Sequence, residues 1–142
     1  MNQWQKLALK LAKRSPFKKH RVGAVLIKDT WATSPCGSGW SHVAQWNYGL
    51  HSIHAEIAAL HKVYPRGIAK IAYIACLTEA GNRGLARPCL SCATALAAAG
   101  VELAIYTTRN TETWGWLRLN DPLTFTGLKE YKRATKSTRR SR

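Results

Sequence analysis

Acidic residues are scarce in this chain: 7 Asp and Glu stand against 22 Lys and Arg, a formal net charge of +15 over 142 residues. A compact domain with that imbalance repels itself, so the charge points to an anionic partner, and phosphate is the obvious class. Long apolar runs are also missing. No stretch is apolar enough to cross a bilayer, and the longest, residues 90–101, is broken by small polar residues. Lysines interrupt residues 1–13, so no signal-peptide core forms, and a cytoplasmic protein without a membrane partner is expected. Residues 1–28 lack any acid, as a mitochondrial presequence would. Trp4, Leu7, Ala8 and Leu11, however, fall at i, i+3, i+4 and i+7, the buried stripe of a first helix. Cysteine is sparse too. Of the four, at positions 36, 76, 89 and 92, only the last two form C-x-x-C, which argues for metal or redox use and against a disulfide framework. Cys36 and Cys76 sit in or beside apolar strand-like runs and read as small hydrophobes.

What is present folds. Hydrophobic residues make up 46% of the chain, enough for one domain with one sizeable core. We expect that domain over residues 1–134, with 135–142 a basic, disordered tail. The pattern predicts a helix over 2–13, a strand over 22–27, a turn at 28–30 and a second, weaker strand over 31–40 kinked at Ser34-Pro35. Residues 41–52 have no clear period and read as a loop lining something. A helix follows over 53–63 with Ile53, Ile57 and Leu60 on one stripe, then a central strand over 68–77 and a loop over 78–87. Pro88 suits a first helical turn, 89–99 is helical, and Gly100 is the expected stop. Strands over 101–107 and 114–119 and a last helix over 123–134 complete the order. Alternating strands and helices behind a leading hairpin define an α/β chain with a mixed sheet of about five strands.

Two short pieces carry the chemistry: His54-Ala55-Glu56 and Pro88-Cys89-Leu90-Ser91-Cys92. Cys89 and Cys92, at i and i+3, share a helical face at a helix N-terminus, where the macrodipole favours thiolate. With His54 they make three ligands, and three protein ligands on tetrahedral zinc leave one position open for catalysis. A structural zinc ribbon needs a second C-x-x-C or paired histidines, and Cys36 and Cys76 form no such pair. A thioredoxin-like redox pair leaves His54 and Glu56 unexplained. Glu56 is the only acid between Asp29 and Glu79. A carboxylate beside the metal but not on it is placed to carry protons.

The chain resembles the zinc-dependent cytidine deaminase superfamily over roughly residues 1–120. His-Ala-Glu-Ile at 54–57 and Ala-Arg-Pro-Cys at 86–89 are similar to phage and viral deaminase-like proteins and to the cytidylate and tRNA-adenosine deaminase branches. The resemblance implies a three-layer cytidine-deaminase-like fold with helices on both faces of the sheet, and zinc held by His54, Cys89 and Cys92. It implies that Glu56 moves protons from water to the ring nitrogen while C4 of cytosine, or C6 of adenine, is attacked. It implies that the Ala55 backbone N–H touches the pyrimidine carbonyl. Many relatives carry a sugar-contacting Asn after the second strand; here Ser41 holds that place, and Asn47 could substitute for it. A homo-oligomer is compatible with the resemblance.

The substrate reading rests on charge and aromatics. Basic residues are spread over the N-terminal region, residues 78–87 and the tail, with Trp40, Trp46, Tyr48, Trp114 and Trp116 interleaved. Trp4 and Trp31 read as core. Trp114 and Trp116 sit where polynucleotide cytosine deaminases carry base-contacting aromatics, and stacking contributes about 1–3 kcal/mol per base. Single-stranded DNA or RNA is the expected partner. The alternatives are a free cytidine or deoxycytidylate, a tRNA adenosine, or a non-enzymatic zinc-stabilised nucleic-acid-binding module.

Overall fold

The computed structural model describes residues 1–46, 49–63 and 68–120, with backbone alone for 44–46 and 49–51. The expected helix over 123–134, the tail over 135–142, Asn47 and Tyr48 lie outside the described residues. Helix α1 (Gln3–Ala12) starts at a reciprocal cap: Asn2 Oδ1 accepts from the Gln5 N–H at 2.9 Å and Gln5 Oε1 from the Asn2 N–H at 2.8 Å. It buries Trp4, Ala8, Leu11 and Ala12, and Leu7 packs at the margin.

The main sheet runs in the order β2 (Gly37–Trp40), β1 (Arg21–Ile27), β5 (Ile71–Leu77), β7 (Leu103–Thr107), β8 (Trp114–Arg118). A two-residue strand, β6 (Arg83–Gly84), also pairs with β5. Only β5 and β7 are parallel, and the other pairings are antiparallel, so the sheet is mixed and β5 is central as expected. Pleat alternation sorts the side chains into two cores. Val25, Ile27, Tyr73 and Ala75 meet α1 on one face. Ala24, Leu26, Ile74 and Cys76 meet α2 (Ala55–Val63) and α3 (Leu90–Ala98) on the other. The result is three layers with the two motif-bearing helices side by side on one face.

Five expectations are corrected. The strand over 31–40 is real only at Gly37–Trp40, and Trp31, read as core, is 89% exposed in the β1–β2 connection. Residues 41–52 are not a loop: β3 (His42–Trp46) and β4 (Gly49–Ile53) form an antiparallel hairpin. Helix α2 buries Ala55, Glu56, Ala59 and Val63, while Ile57 and Leu60 are half-buried. The reason lies in β2, where Gly37 approaches Ala59 and Val63 and Gly39 approaches Ala58 so closely that a Cβ at either glycine would run into them; this turns the Ala59 and Val63 face of α2 to the sheet. Pro88 precedes the first turn of α3, because Cys89 is its N-cap. Gly100 ends that helix at φ 97°, as expected.

Candidate active site

The two motifs meet because α2 and α3 begin at the same end of the sheet. His54 stands between β4 and α2, and its carbonyl accepts the Ala58 N–H at 3.0 Å, so it caps α2 from outside. Cys89 caps α3, its Sγ accepting the Cys92 N–H at 3.4 Å. His54 Nδ1 lies 3.2 Å from Cys92 Sγ and 3.9 Å from Cys89 Sγ, and all three donors fall within 4.8 Å of one another. Those separations are what donors sharing one small ion show. Imidazole plus two sulfurs is the donor chemistry of zinc, so the residues fit the metal.

Electrostatics agrees. Cys89 is lowered to about 5, chiefly by the hydrogen bond it receives from the Cys92 thiol; nearby His54 adds to this. The same bond, then burial, pushes Cys92 up. One thiolate is therefore present at neutral pH before any metal binds. Glu56, in the first turn of α2, is 5% exposed, and burial raises its carboxyl above the ordinary range. Backbone hydrogen bonding and His54 pull the other way.

A cavity of about 370 Å³ opens over this cluster. His54, Ala55, Glu56, Cys89 and Ser41 line it, and Cys92 is buried beside them. Ala55 is the first residue of α2, where a backbone N–H has no intrahelical acceptor. Ser41 is buried and already employed: its Oγ accepts the Val22 N–H at 3.1 Å and lies 2.7 Å from Ser15 Oγ, joining the end of α1 to β1 and β2. One hydrogen-bonding position of the hydroxyl remains for a ligand. Trp114 and Trp116 do not line this cavity. Trp114 is half-buried against the α1-side core under the Arg83 guanidinium, and Trp116 is 63% exposed beneath Arg118.

Sequence reasoning missed several lining residues. Phe17, Lys19 and His20 come from the α1–β1 connection, and Leu85, Ala86 and Arg87 from the segment before α3. His20 has φ 51°, a left-handed backbone unusual for a non-glycine residue, and no sequence signal marks it. Arg87, beside the Cys motif, was the legible one. Cys76 is buried in the core as expected and also forms part of the cavity wall.

A three-layer α/β/α domain that sets a His/Cys/Cys metal cluster and a buried carboxylate under a base-sized cavity has the build of a metal-assisted hydrolase. Its backbone superimposes on cytidine deaminase from Mycobacterium tuberculosis with a TM-score of 0.54, at 22% identity over 84% of this chain and 90% of that one. Cytidine deaminase from Mycobacterium leprae gives 0.53, at 17% identity over 82% and 94%. A search of curated protein sequences returned no match. The chain belongs to the cytidine and deoxycytidylate deaminases, whose zinc-binding region matches residues 1–108. It is a zinc-dependent hydrolytic deaminase of a nucleobase.

Proposed function

We propose that this deaminase converts cytosine to uracil within single-stranded nucleic acid. The observation that carries the reading is charge around the cavity: Lys19 and Arg87 line it, in a chain of net charge +15. A single nucleotide phosphate needs one or two cations, whereas a strand presents one phosphate per residue. A cavity of about 370 Å³ suits one base and its sugar, so a polymer would present one nucleotide at a time.

His54, Cys89 and Cys92 would hold the zinc. When bound, zinc supplies Lewis-acid activation of water near neutral pH. Glu56 carries the protons. Its carboxylate takes a proton from the attacking water and delivers it to the ring nitrogen next to C4, then takes the second from the new C4 hydroxyl and gives it to the departing amino group; burial raises its proton affinity. Overall, water adds oxygen at C4 and the exocyclic nitrogen leaves as ammonia. The Ala55 N–H meets the pyrimidine carbonyl, and Ser41 offers its remaining hydrogen-bonding position to the sugar. Trp114 and Trp116 stack bases next to the target.

The cavity's nucleoside size also suits a free cytidine or deoxycytidylate, and the neighbouring structures are cytidine deaminases. A mass-spectrometric screen separates the readings. It offers deoxycytidylate, cytidine, single-stranded DNA, RNA and tRNA, with the Glu56→Ala protein as blank. Uracil in DNA or RNA is expected; turnover of monomers alone refutes the polymer reading.

A further inference from the structure

Strand register puts two tryptophans in one line across the cavity end of the sheet. Trp40 pairs with Gly23, Gly23 with Ala75, and Thr107 with Trp114. In the parallel pair β5–β7, Ile74 lies beside Tyr106, so the next step sets Ala75 beside Thr107. Trp40 and Trp114 therefore end the same row at opposite edges of the sheet, and both pack on the α1-side core. Four strand spacings of about 4.8 Å put their backbones roughly 19 Å apart. Along the row the catalytic cavity falls between them, at the same end of the sheet but opening on its α2–α3 face: Ser41 follows Trp40, and Val22 and Cys76 stand next in β1 and β5.

Each end of the row carries cations. Arg14 and Lys62 each lie 5.5 Å from the centroid of the Trp40 ring. Arg83 lies 5.6 Å from Trp114, whose buried indole Nε1 finds no hydrogen-bond partner among the described residues. Beside Trp40 runs a groove of about 560 Å³ with His42, His61 and Lys62 in its wall and, among the described residues, no carboxylate. The base of the β3–β4 hairpin divides the two spaces, with Ser41, Ser52 and His54 on the catalytic side and Trp40, His42 and Ile53 on the groove side. Topology also segregates charge. The segments at the cavity end hold Lys13, Arg14, Lys18, Lys19, Arg83, Arg87 and Arg109 against Glu79 and Glu112, while at the far end Asp29 and Glu102 are balanced by Lys28 and Lys70.

We infer that Arg14, Trp40 and Lys62 form a second nucleic-acid contact, gripping the strand on the side of the cavity opposite Trp114 and Trp116. This rests on the polymer reading above. The strand crosses one sheet edge at Trp40, turns one base into the cavity and leaves over the β8 edge. Nucleotides rise about 3.4 Å each when stacked and more when splayed, so no more than about six bridge the two tryptophans. The Trp40 indole supplies a stacking surface, and Arg14 and Lys62 meet the phosphates on either side of that base.

The test uses zinc-loaded full-length protein and fluorescence anisotropy with labelled single-stranded oligocytidylate, DNA and RNA in separate arms. The R14E/K62E double variant changes only exposed residues. It should lose tenfold or more in affinity, and its salt slope should fall by about 1.4, since two single-strand phosphate contacts contribute about 0.7 each. Trp40→Leu should lose about tenfold, and Trp40→Phe, which keeps a ring, should recover most of it. Zinc content and melting temperature check that each variant is folded. If wild type binds the strand while the double variant and Trp40→Leu bind it equally well with an unchanged slope, this inference falls and the polymer reading stands. If wild type binds no strand and turns over monomers alone, both fall. If the double variant instead dissociates an oligomer in sedimentation and keeps full strand affinity, the groove is a self-contact and the inference is overturned.

Discussion

Replacing Glu56 by Gln separates proton transfer from metal binding and from stability. The side chain keeps its size but cannot carry a proton. Turnover should fall by about 10²–10⁴, equivalent to roughly 3–5 kcal/mol of barrier, while one zinc per chain is retained. Stability should move the other way. Glu56 is 5% exposed and burial raises its carboxyl, so its charged form is disfavoured in the folded chain. Below the ordinary carboxylate range both states hold the proton and the residue costs nothing. As pH rises, the unfolded chain ionises first and the folded state becomes disfavoured, until the folded carboxyl ionises too and the difference levels off. Chelator-treated Glu56→Gln should therefore melt above chelator-treated wild type at neutral pH. Hydrogen bonds from the backbone and Cys92 offset part of the burial penalty, so the gap should be on the order of 1 kcal/mol. One kcal/mol shifts the melting point of a chain this size by about 2–4 °C. The gap should close near about pH 4. Calorimetry across pH, metal analysis and mass-spectrometric deamination read the three outcomes. Loss of zinc with the substitution would make Glu56 a ligand; full turnover would remove it from proton transfer; a melting gap independent of pH would refute the buried-charge reasoning.

Three further outcomes follow from particular contacts. With Cys89 lowered to about 5, the folded-state stability tied to its thiolate is complete above the ordinary thiol range and is lost as pH falls through that value. Iodoacetamide should label Cys89 of chelator-treated protein with a half-point near pH 5, zinc should block it, and zinc loading at pH 7 should release about one proton, from Cys92, rather than two. Titration calorimetry in buffers of different ionisation enthalpy counts those protons. Thr107 is fully buried, and its Oγ1 accepts the Cys76 N–H at 2.9 Å and donates to the Gly84 carbonyl at 2.8 Å. Thr107→Val leaves both backbone groups unsatisfied and should lower unfolding stability by about 2 kcal/mol or more, with Thr107→Ser restoring most of it in urea titrations. A Cβ at Gly23 would run into the backbone of α1 at Ala8 and Ala12, so Gly23→Ala should cost about 1–3 kcal/mol of unfolding stability in the same titrations.

Much of the fold could be read from local pattern. The stripe of α1, the apolar runs of β1 and β5 and the capped start of α3 each announce themselves within about ten residues, because helix and strand periods are short-range properties. The β3–β4 hairpin escaped such reading. His42-Val43-Ala44-Gln45-Trp46 does not alternate cleanly, and its strand character depends on pairing with residues further along the chain. Trp31 looked like core because of what it is, yet it lies in the connection beyond the end of β1, where nothing covers it. In α2 the larger Ile57 and Leu60 promised the buried face, but the glycines of β2 bring that strand against Ala58, Ala59 and Val63 instead.

The residue types of the chemistry were determined by the sequence alone: spacings of two and three residues pair His54 with Glu56 and Cys89 with Cys92 within their own motifs. That the two motifs meet was decided by the sheet, which starts α2 and α3 at the same end. Tertiary structure decided what surrounds that chemistry. Lys19, His20 and Ser41 reach the cavity from separate elements, and Trp40 and Trp114 share a row although 74 residues divide them. Register between strands is set by the packing of whole faces, so no local stretch of sequence states it.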